Sequence, residues 1–228
     1  MIDREAYNKI STALALKHVD LVAVSKTKPI EEIFELYSLG QRDFGENYVQ
    51  ELIEKRLLLP HDIRWHYIGH LQSNKVKYIA PFVHLIHGVD TFKLLTEINR
   101  QGEKHHRVIH CLLQVHIAQE ESKFGLDEAE LKELFSDLEK ATEVGEFKHV
   151  FVKGLMGMGS FTSDIQKVRL EFKYLKMLFD EYAHISAANC KLSVLSMGMS
   201  SDYKVAIEEG ANMVRIGSLF FGARENAR

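Results

Sequence analysis

Short apolar runs alternate with longer amphipathic segments along the whole chain. In residues 108–117, every second position from Ile109 to Ile117 is apolar, which is the two-residue period of a β-strand. In residues 164–183, apolar positions recur at helical spacing, as expected of an α-helix with one buried face. The pattern predicts strands at residues 19–26, 42–44, 63–68, 83–89, 108–117, 149–156, 192–196 and 213–216.

Helices are predicted around and between these strands, and cap residues support several of them. Gly40 follows one helix in the usual glycine position. Asp127 and Glu130 have the spacing of a capping box. The alternation repeats at roughly the 25-residue interval of a β/α barrel, so we predict one α/β domain over residues 1–228, a single (β/α)8 TIM barrel. The helices are predicted at 3–17, 30–39, 48–58, 74–79, 91–100 and 164–183, with two more starting at Asp127 and Asp202.

Composition and charge narrow the class of protein. The chain has 228 residues, 46% of them hydrophobic, which is enough for one sizeable core, and no Pro-, Gly- or Ser-rich linker divides it. The net charge of −3 comes from interspersed charges without the basic stripe typical of nucleic-acid binding. The apolar runs are far shorter than the roughly 20 residues of a membrane span, and the polar start lacks a secretory signal. These features predict a cytoplasmic protein whose partners include neither nucleic acid nor a membrane.

The cysteines and histidines do not indicate a metal site or a disulfide framework. Cys111 and Cys190 are the two cysteines, and neither lies in a Cys-x-x-Cys spacing, which is typical of reduced thiols in the cytoplasm. Twelve histidines are present, but none forms a His-Glu-x-x-His pair, and His66 and His70 straddle a predicted strand end. We therefore expect no bound metal.

The first predicted strand ends in a lysine that could carry chemistry. Val22, Val24 and Lys26 share one face of this strand, and the carboxyl ends of barrel strands are where ligands bind. A partly desolvated amine there is nucleophilic and forms imines with aldehydes such as pyridoxal phosphate. The alternative is a solvated loop lysine. Lys28 has the same parity as Lys26, but it precedes Pro29, which forces it into extended backbone leaving the strand, so we favour Lys26.

The loops after the last two predicted strands are candidates for binding phosphate. Residues 196–201 include Ser200, and Gly217 is followed by Ser218. Glycine lets backbone amides approach an anion and serine adds hydroxyl donors, and barrels commonly bind phosphate after these strands. Ordinary Gly-Ser connecting loops would have the same composition.

Arg215 lies inside an apolar predicted strand, where an unpaired guanidinium is costly. It could form a salt bridge with a buried carboxylate. It could instead donate to a ligand such as a pyridine nitrogen, which would stay unprotonated because arginine keeps its own proton.

Several other polar residues near strand ends remain open to two interpretations. His66 could be a core histidine or could pack on a flat ligand ring. Asn47 could bind a ligand or cap the helix that begins near Tyr48. Gln114 and His116 could line the barrel mouth or serve packing, and the turn at residues 157–159 has no assigned role.

Distinctive motifs occupy residues 23–29, 44–50, 65–75, 122–125, 154–156, 195–200, and 214–218 with 221–224. The first reads Ala-Val-Ser-Lys-Thr-Lys-Pro and the third reads Trp-His-Tyr-Ile-Gly-His-Leu-Gln-Ser-Asn-Lys. Together they resemble the pyridoxal phosphate homeostasis proteins, single-domain relatives of the barrel half of bacterial alanine racemase. The resemblance covers nearly the full chain and implies a barrel of the alanine racemase N-terminal domain type, which is fold type III among pyridoxal phosphate proteins.

The resemblance also implies a cofactor site. By this likeness, Lys26 would hold pyridoxal 5'-phosphate as an internal aldimine and Arg215 would face the pyridine nitrogen. Ser200, Gly217 and Ser218 would hold the phosphate group. The residues implied to surround the ring are Asn47, His66 and Met197.

The implied function is intracellular vitamin B6 homeostasis without established catalysis. The protein would hold pyridoxal phosphate and buffer it or deliver it to cofactor-free enzymes, and nothing in the sequence demands more than a monomer. The first alternative is an amino-acid racemase of the alanine racemase type, which the expected absence of a second domain disfavours. The second alternative is a phosphate-binding barrel enzyme that uses Lys26 as an aldolase-type amine.

Overall fold

The computed structural model describes residues 2–118 and 124–222 of the chain. Lys123, whose role the sequence leaves open, lies outside the described residues, as does part of the motifs at 122–125 and 221–224. The strands of the described part are β1 (Asp20–Val24), β2 (Asp43–Glu46), β3 (Arg64–Tyr67), β4 (Leu85–Val89), β5 (Ile109–Val115), β6 (Val150–Gly157), β7 (Ser186–Ala187), β8 (Cys190–Ser196) and β9 (Met213–Ile216).

Eight parallel strands close into a barrel, which confirms the predicted fold class. β1 pairs with β2 on one side and with β9 on the other, and pairing continues in chain order from β2 to β6. The ring closes because β6 pairs with β8 and β8 pairs with β9. The two-residue β7 was not predicted. It is antiparallel to β8 and stands outside the ring as a short hairpin, too short to leave a period in the sequence.

The helices surround the barrel at the predicted places. Thr91 caps its helix by accepting a hydrogen bond from the Leu94 amide, and Asp127 and Glu130 form the predicted capping box. One short helix at the end of the described chain was not predicted. The helices are α1 (Arg4–Ala15), α2 (Ile30–Ser38), α3 (Val49–Leu58), α4 (Val76–Ile79), α5 (Phe92–Lys104), α6 (Glu128–Glu143), α7 (Ile165–Glu181), α8 (Tyr203–Glu208) and α9 (Ser218–Phe221).

Apolar side chains form two layers, one on each face of the barrel wall. The alternation in β5 divides as predicted, because Ile109, Cys111 and Leu113 face the helices while Leu112 faces the barrel interior. The outer layer is much larger and carries most of the core. The interior layer consists of Val22, Leu85, Leu112, Met156 and Met213. The interior therefore retains room for polar groups along its axis.

The first strand is shorter than predicted, which changes the setting of Lys26. β1 ends at Val24, and Lys26 lies in the turn that follows rather than in the strand. Pairing stops because the chain turns back on itself: the Lys28 amide donates to the Ser25 carbonyl at 3.0 Å, and Thr27 has left-handed backbone (φ 63°). The carboxyl-end position of Lys26 is unchanged by this correction. In residues 2–118 and 124–222, every helix is too short or too polar to span a bilayer.

Candidate functional site

Three neighbouring strands bring most of the predicted cofactor residues to one end of the barrel. β9, which carries Arg215, lies between β1 and β8, and Arg215 is level with Val22 in the β1–β9 ladder. Gly217 approaches β1 so closely that a Cβ at that position would lie 2.8 Å from the Val24 carbonyl oxygen. Only glycine fits there, so the turn after β9 lies directly against the strand that leads to Lys26.

A buried ionic cluster forms hydrogen bonds with the turn that carries Lys26. Lys55 on α3 donates to the Ser25 carbonyl at 2.7 Å, to Glu46 at 2.8 Å and to Glu51 at 2.6 Å. The Ser25 hydroxyl donates to Glu46 at 2.6 Å, and the Thr27 amide donates to Glu51 at 2.6 Å. Each residue of the cluster thus contacts the backbone or side chains around position 26, which restricts the conformations available to the turn.

Within this cluster, burial shifts the pKa of Glu46. Its side chain is fully buried, and burial raises its pKa to about 7 even though Lys55 and Ser25 act in the opposite direction. Oε1 accepts two hydrogen bonds, whereas Oε2 is buried without a partner among the described residues. The carboxyl group is therefore poised between its two protonation states near neutral pH.

The two lysines of the first motif have different surroundings. The Lys28 ammonium donates to the Phe221 carbonyl oxygen at 2.7 Å and so joins the first turn to α9. Lys26 is half-buried and lies in the turn that follows β1. This geometry gives Lys28 a structural role and supports the preference for Lys26 as the reactive amine.

Arg215 lies inside the barrel with only 4% of its surface exposed. Its guanidinium donates to the Ser196 carbonyl at 3.0 Å, to the Ser196 hydroxyl at 2.7 Å and to the Gly157 carbonyl at 3.0 Å. These acceptors are uncharged oxygens, so the positive charge is held by dipoles. Burial lowers the pKa of Arg215 to about 10, with the charge of Asp202 acting in the opposite direction, and the group stays protonated at neutral pH.

The two loops proposed to hold phosphate are in direct contact. The Gly217 amide donates to the Ser200 hydroxyl oxygen at 3.3 Å, which joins the loop after β8 to the loop after β9. Ser218 begins α9 and is exposed. Amide and hydroxyl donors from both loops therefore lie at one end of the barrel, as an anion site requires.

Asn47 lies at the carboxyl end of β2 with an unsatisfied acceptor. Its Oδ1 atom is buried and has no hydrogen-bond partner in the part of the chain that is described. Gly69 packs against it so closely that a Cβ on that glycine would lie 2.5 Å from the Asn47 carbonyl oxygen. Asn47 does not cap the following helix, whose N-cap is Tyr48. A groove of about 610 Å³ runs from Asn47 toward Tyr78.

His66 and Met197 lie in different surroundings. His66 lies within β3, as the predicted strand at residues 63–68 implies, and its imidazole contacts Asp43 at 3.0 Å and His87 at 2.9 Å. It lines a cavity at the amino end of the barrel, opposite to Lys26. Met197 is fully buried in the outer apolar layer. The contacts of His66 and Met197 with the cofactor ring, which the resemblance implies, stay predictions.

Gln114 and the glycine turn serve the architecture of the site. Gln114 is buried and donates to the Phe124 carbonyl at 2.7 Å, which fastens Phe124 to β5. Gly157 supplies one of the carbonyl oxygens that hold Arg215. His116 lies just beyond β5, beside Gly125.

Sequence reasoning missed the residues that support the site from within the fold. Lys55 was detectable, because Leu52, Lys55 and Leu59 follow helical spacing and place a lysine on an apolar face. Ser196 and His87 were not distinguishable from ordinary strand residues, since their contacts join parts of the chain 109 residues apart.

Sequence comparison places this chain among known proteins. It matches the family described as alanine racemase, N-terminal domain, over residues 4–225. A pyridoxal phosphate homeostasis protein of Aquifex aeolicus is 43% identical over 206 residues, which cover 90% of this chain and 87% of that protein. The Escherichia coli K12 protein of the same name is 36% identical over 216 residues, covering 93% and 88% respectively.

Solved structures agree with this assignment. PipY of Synechococcus elongatus with pyridoxal phosphate bound has a TM-score of 0.83 and 34% identity, with 95% of this chain and 98% of that chain covered. Alanine racemase of Bartonella henselae has a TM-score of 0.67 at 17% identity, covering 95% and 58%, a likeness of fold. The chain therefore belongs to the pyridoxal phosphate homeostasis protein family, within the alanine racemase N-terminal domain family.

Proposed function

We propose that this protein binds pyridoxal 5'-phosphate at the carboxyl end of the barrel and acts in vitamin B6 homeostasis by buffering or delivering it. The observation that carries the proposal is the arrangement of three features on three adjacent strands and the loops that follow them: the half-buried Lys26, the buried guanidinium of Arg215 and the Ser200–Gly217 contact. An amine, a fixed cation and an anion site match the aldehyde, the ring nitrogen and the phosphate of this cofactor. Family membership supports the same ligand.

Lys26 would hold the cofactor covalently through its amine. The turn at residues 25–28 is fixed by Lys55 and Glu51, which limits the conformational entropy that Lys26 loses on binding. Lys28 is joined to Phe221 and would keep the loop after β9 close to the first turn. The chain thus supplies one positioned nucleophile beside one structural lysine.

Arg215 would donate to the pyridine nitrogen and keep it unprotonated. When bound, pyridoxal phosphate can act as an electron sink for carbanions, and it is weak in that role if its ring nitrogen carries no proton. Arginine cannot supply that proton because it stays charged at neutral pH, even with its pKa lowered to about 10. The arrangement favours holding the cofactor over carbanion chemistry.

The phosphate would lie between the loops after β8 and β9. The hydroxyl groups of Ser200 and Ser218 and the amide of Gly217 are the proposed donors. Asn47 would contribute from the opposite side of the ring, where its unsatisfied oxygen can accept a hydrogen bond from a ligand donor. The ring contacts that the resemblance implies for His66 and Met197 stay predictions.

Delivery can be tested by handover of the cofactor. The protein is loaded with pyridoxal phosphate, freed of excess and incubated with a cofactor-free aminotransferase, and the recovered aminotransferase activity is followed. We expect recovery from the loaded protein and none from a Lys26→Ala variant treated in the same way, because that variant would not retain the cofactor. If the loaded protein restores no activity, delivery is excluded. If it exchanges the α-hydrogen of alanine in deuterated water, the racemase alternative gains support.

A further inference from the structure

The amino end of the barrel contains a second polar cavity, far from Lys26. It has a volume of about 330 Å³ and is lined mainly by charged and imidazole side chains. Its lining residues include Asp43 at the start of β2, His66 in β3 and His84 just before β4. Among residues 2–118 and 124–222, these three form the group whose potential ligand atoms all lie within 4.8 Å of one another.

We propose that Asp43, His66 and His84 bind one divalent transition-metal ion of the zinc class. Two imidazoles and one carboxylate are a common ligand set for such ions, and the remaining coordination positions would be filled by water from the cavity. The site is separate from the carboxyl end where pyridoxal phosphate is proposed to bind, because it lies at the end of the barrel opposite to Lys26.

The backbone holds the three side chains on paired strands. Gly45, two residues after Asp43, is the partner of His66 in the β2–β3 ladder. The His84 amide, directly before β4, donates to the Trp65 carbonyl on β3 at 2.8 Å. Ligands on neighbouring strands change their separation little, so the site would be largely formed before the ion binds.

Hydrogen bonds from surrounding residues orient two of the three proposed ligands, His66 and Asp43. The Nδ1 atom of His66 lies 2.9 Å from Nε2 of His87, which leaves Nε2 of His66 directed into the cavity toward Asp43. Arg64 donates to both carboxylate oxygens of Asp43, from Nε at 2.7 Å and from Nη2. Such outer hydrogen bonds orient coordinating imidazoles and carboxylates.

The charges around the cavity favour an ion that binds through nitrogen. Asp20 and Asp43 are offset by Arg64 and Lys153, which line the same space. Magnesium and calcium depend on several oxygen ligands and would gain little there. Zinc, cobalt and nickel bind imidazole strongly and can use a site whose surroundings carry no net charge.

Isothermal titration of the metal-free protein with zinc chloride tests the proposal. The protein is stripped with a chelator and contains no pyridoxal phosphate, so the result does not depend on the proposed cofactor site. We expect one zinc ion per chain, and we expect His84→Asn to weaken its binding by at least about tenfold. The matched control is His106→Asn, which alters an exposed histidine whose left-handed backbone (φ 51°) asparagine tolerates.

A second measurement keeps the test valid if His84→Asn folds poorly. Cobalt(II) bound by the wild-type protein should show a visible ligand-field absorption, and both Asp43→Asn and His84→Asn should lose it while His106→Asn retains it. Circular dichroism identifies which variants are folded. The proposal is overturned if the wild-type protein binds no stoichiometric zinc, or if the folded variants at positions 43 and 84 bind zinc or cobalt as the wild-type protein does.

Discussion

Arg215 shows how a single buried charge can define the chemistry of a ligand site. Its guanidinium is surrounded by the Ser196 and Gly157 oxygens, and no aspartate or glutamate appears among its hydrogen-bond acceptors in the described chain. Burying such a group is costly unless its donors are used. Arg215 is the ladder partner of Val22, and its donors are used on uncharged oxygens of the barrel itself.

Substituting Arg215 with glutamate should change the absorption spectrum of the bound cofactor. A glutamate can supply a proton to the ring nitrogen, which arginine does not do. We expect Arg215→Glu to shift the absorption maximum and Arg215→Gln, which has no ionisable proton, to shift it less. Absorption spectra of the three loaded proteins provide the check. Identical spectra in proteins that all retain the cofactor would contradict the contact between Arg215 and the ring nitrogen.

At the scale of one element, the turn after β1 depends on α3. Lys55 is 5% exposed and donates to three oxygens, two of which belong to Glu46 and Glu51. Removing one partner of a buried ion pair leaves the other charge uncompensated, which is strongly destabilising. The helix therefore does more than cover the barrel, because it fixes the turn on which Lys26 lies.

The protonation of Glu46 should make stability depend on pH. Burial raises its pKa in the folded protein to about 7 from an ordinary value of 4.5. A raised folded-state pKa gives stability that is complete below pH 4.5 and is lost as pH rises through about 7. We expect the free energy of unfolding to fall by at most about 3 kcal/mol over this range because of this group.

Urea unfolding at about pH 5 and about pH 8 measures this dependence. Glu46→Gln should lose part of the decrease, because glutamine cannot ionise. Glu54→Gln, at an exposed position on α3, should behave as the wild-type protein does. An unchanged difference between the two pH values in Glu46→Gln would show that Glu46 does not titrate in this range.

The elements were more predictable from the sequence than the directions of side chains inside the barrel. The period of β5 correctly separated Cys111 from Leu112, because the face of Leu112 also carries the polar residues His110 and Gln114. Strand parity assigns His66 to one face of the sheet, but it does not say where along the barrel axis its imidazole points. The His66–His87 contact joins residues that are 21 positions apart in the sequence, so no local sequence pattern predicts it.

For the molecule as a whole, the two ends of the barrel have different chemistry. The carboxyl end carries the half-buried Lys26 and hydrogen-bond donors that could bind an anion, whereas the amino end carries imidazoles and paired charges. A chain of hydrogen-bond contacts from His66 through His87 and Ser196 to Arg215 runs between them. The eight-strand alternation predicted this architecture. The interior series of polar contacts could be identified only from the structure, because it depends on the register between distant strands.

Cofactor binding should stabilise the whole fold. A ligand that binds only the folded state raises stability by about 2.7 kcal/mol at a concentration one hundred times its Kd. We expect the thermal unfolding midpoint to rise more with pyridoxal phosphate than with pyridoxal, because only the former has a phosphate for Ser200 and Gly217. Ser200→Ala should narrow that difference. Equal shifts with both compounds would exclude a phosphate site in these loops.

The covalent attachment of the cofactor to Lys26 is the central claim, and borohydride reduction tests it most directly. Loaded protein is reduced, digested and analysed by peptide mass spectrometry, with Lys26→Ala and Lys28→Ala treated in parallel. The account predicts the pyridoxyl group on Lys26 in the wild-type protein, its retention in Lys28→Ala and its loss in Lys26→Ala. A pyridoxyl group found on Lys28, or none on either lysine, would contradict it.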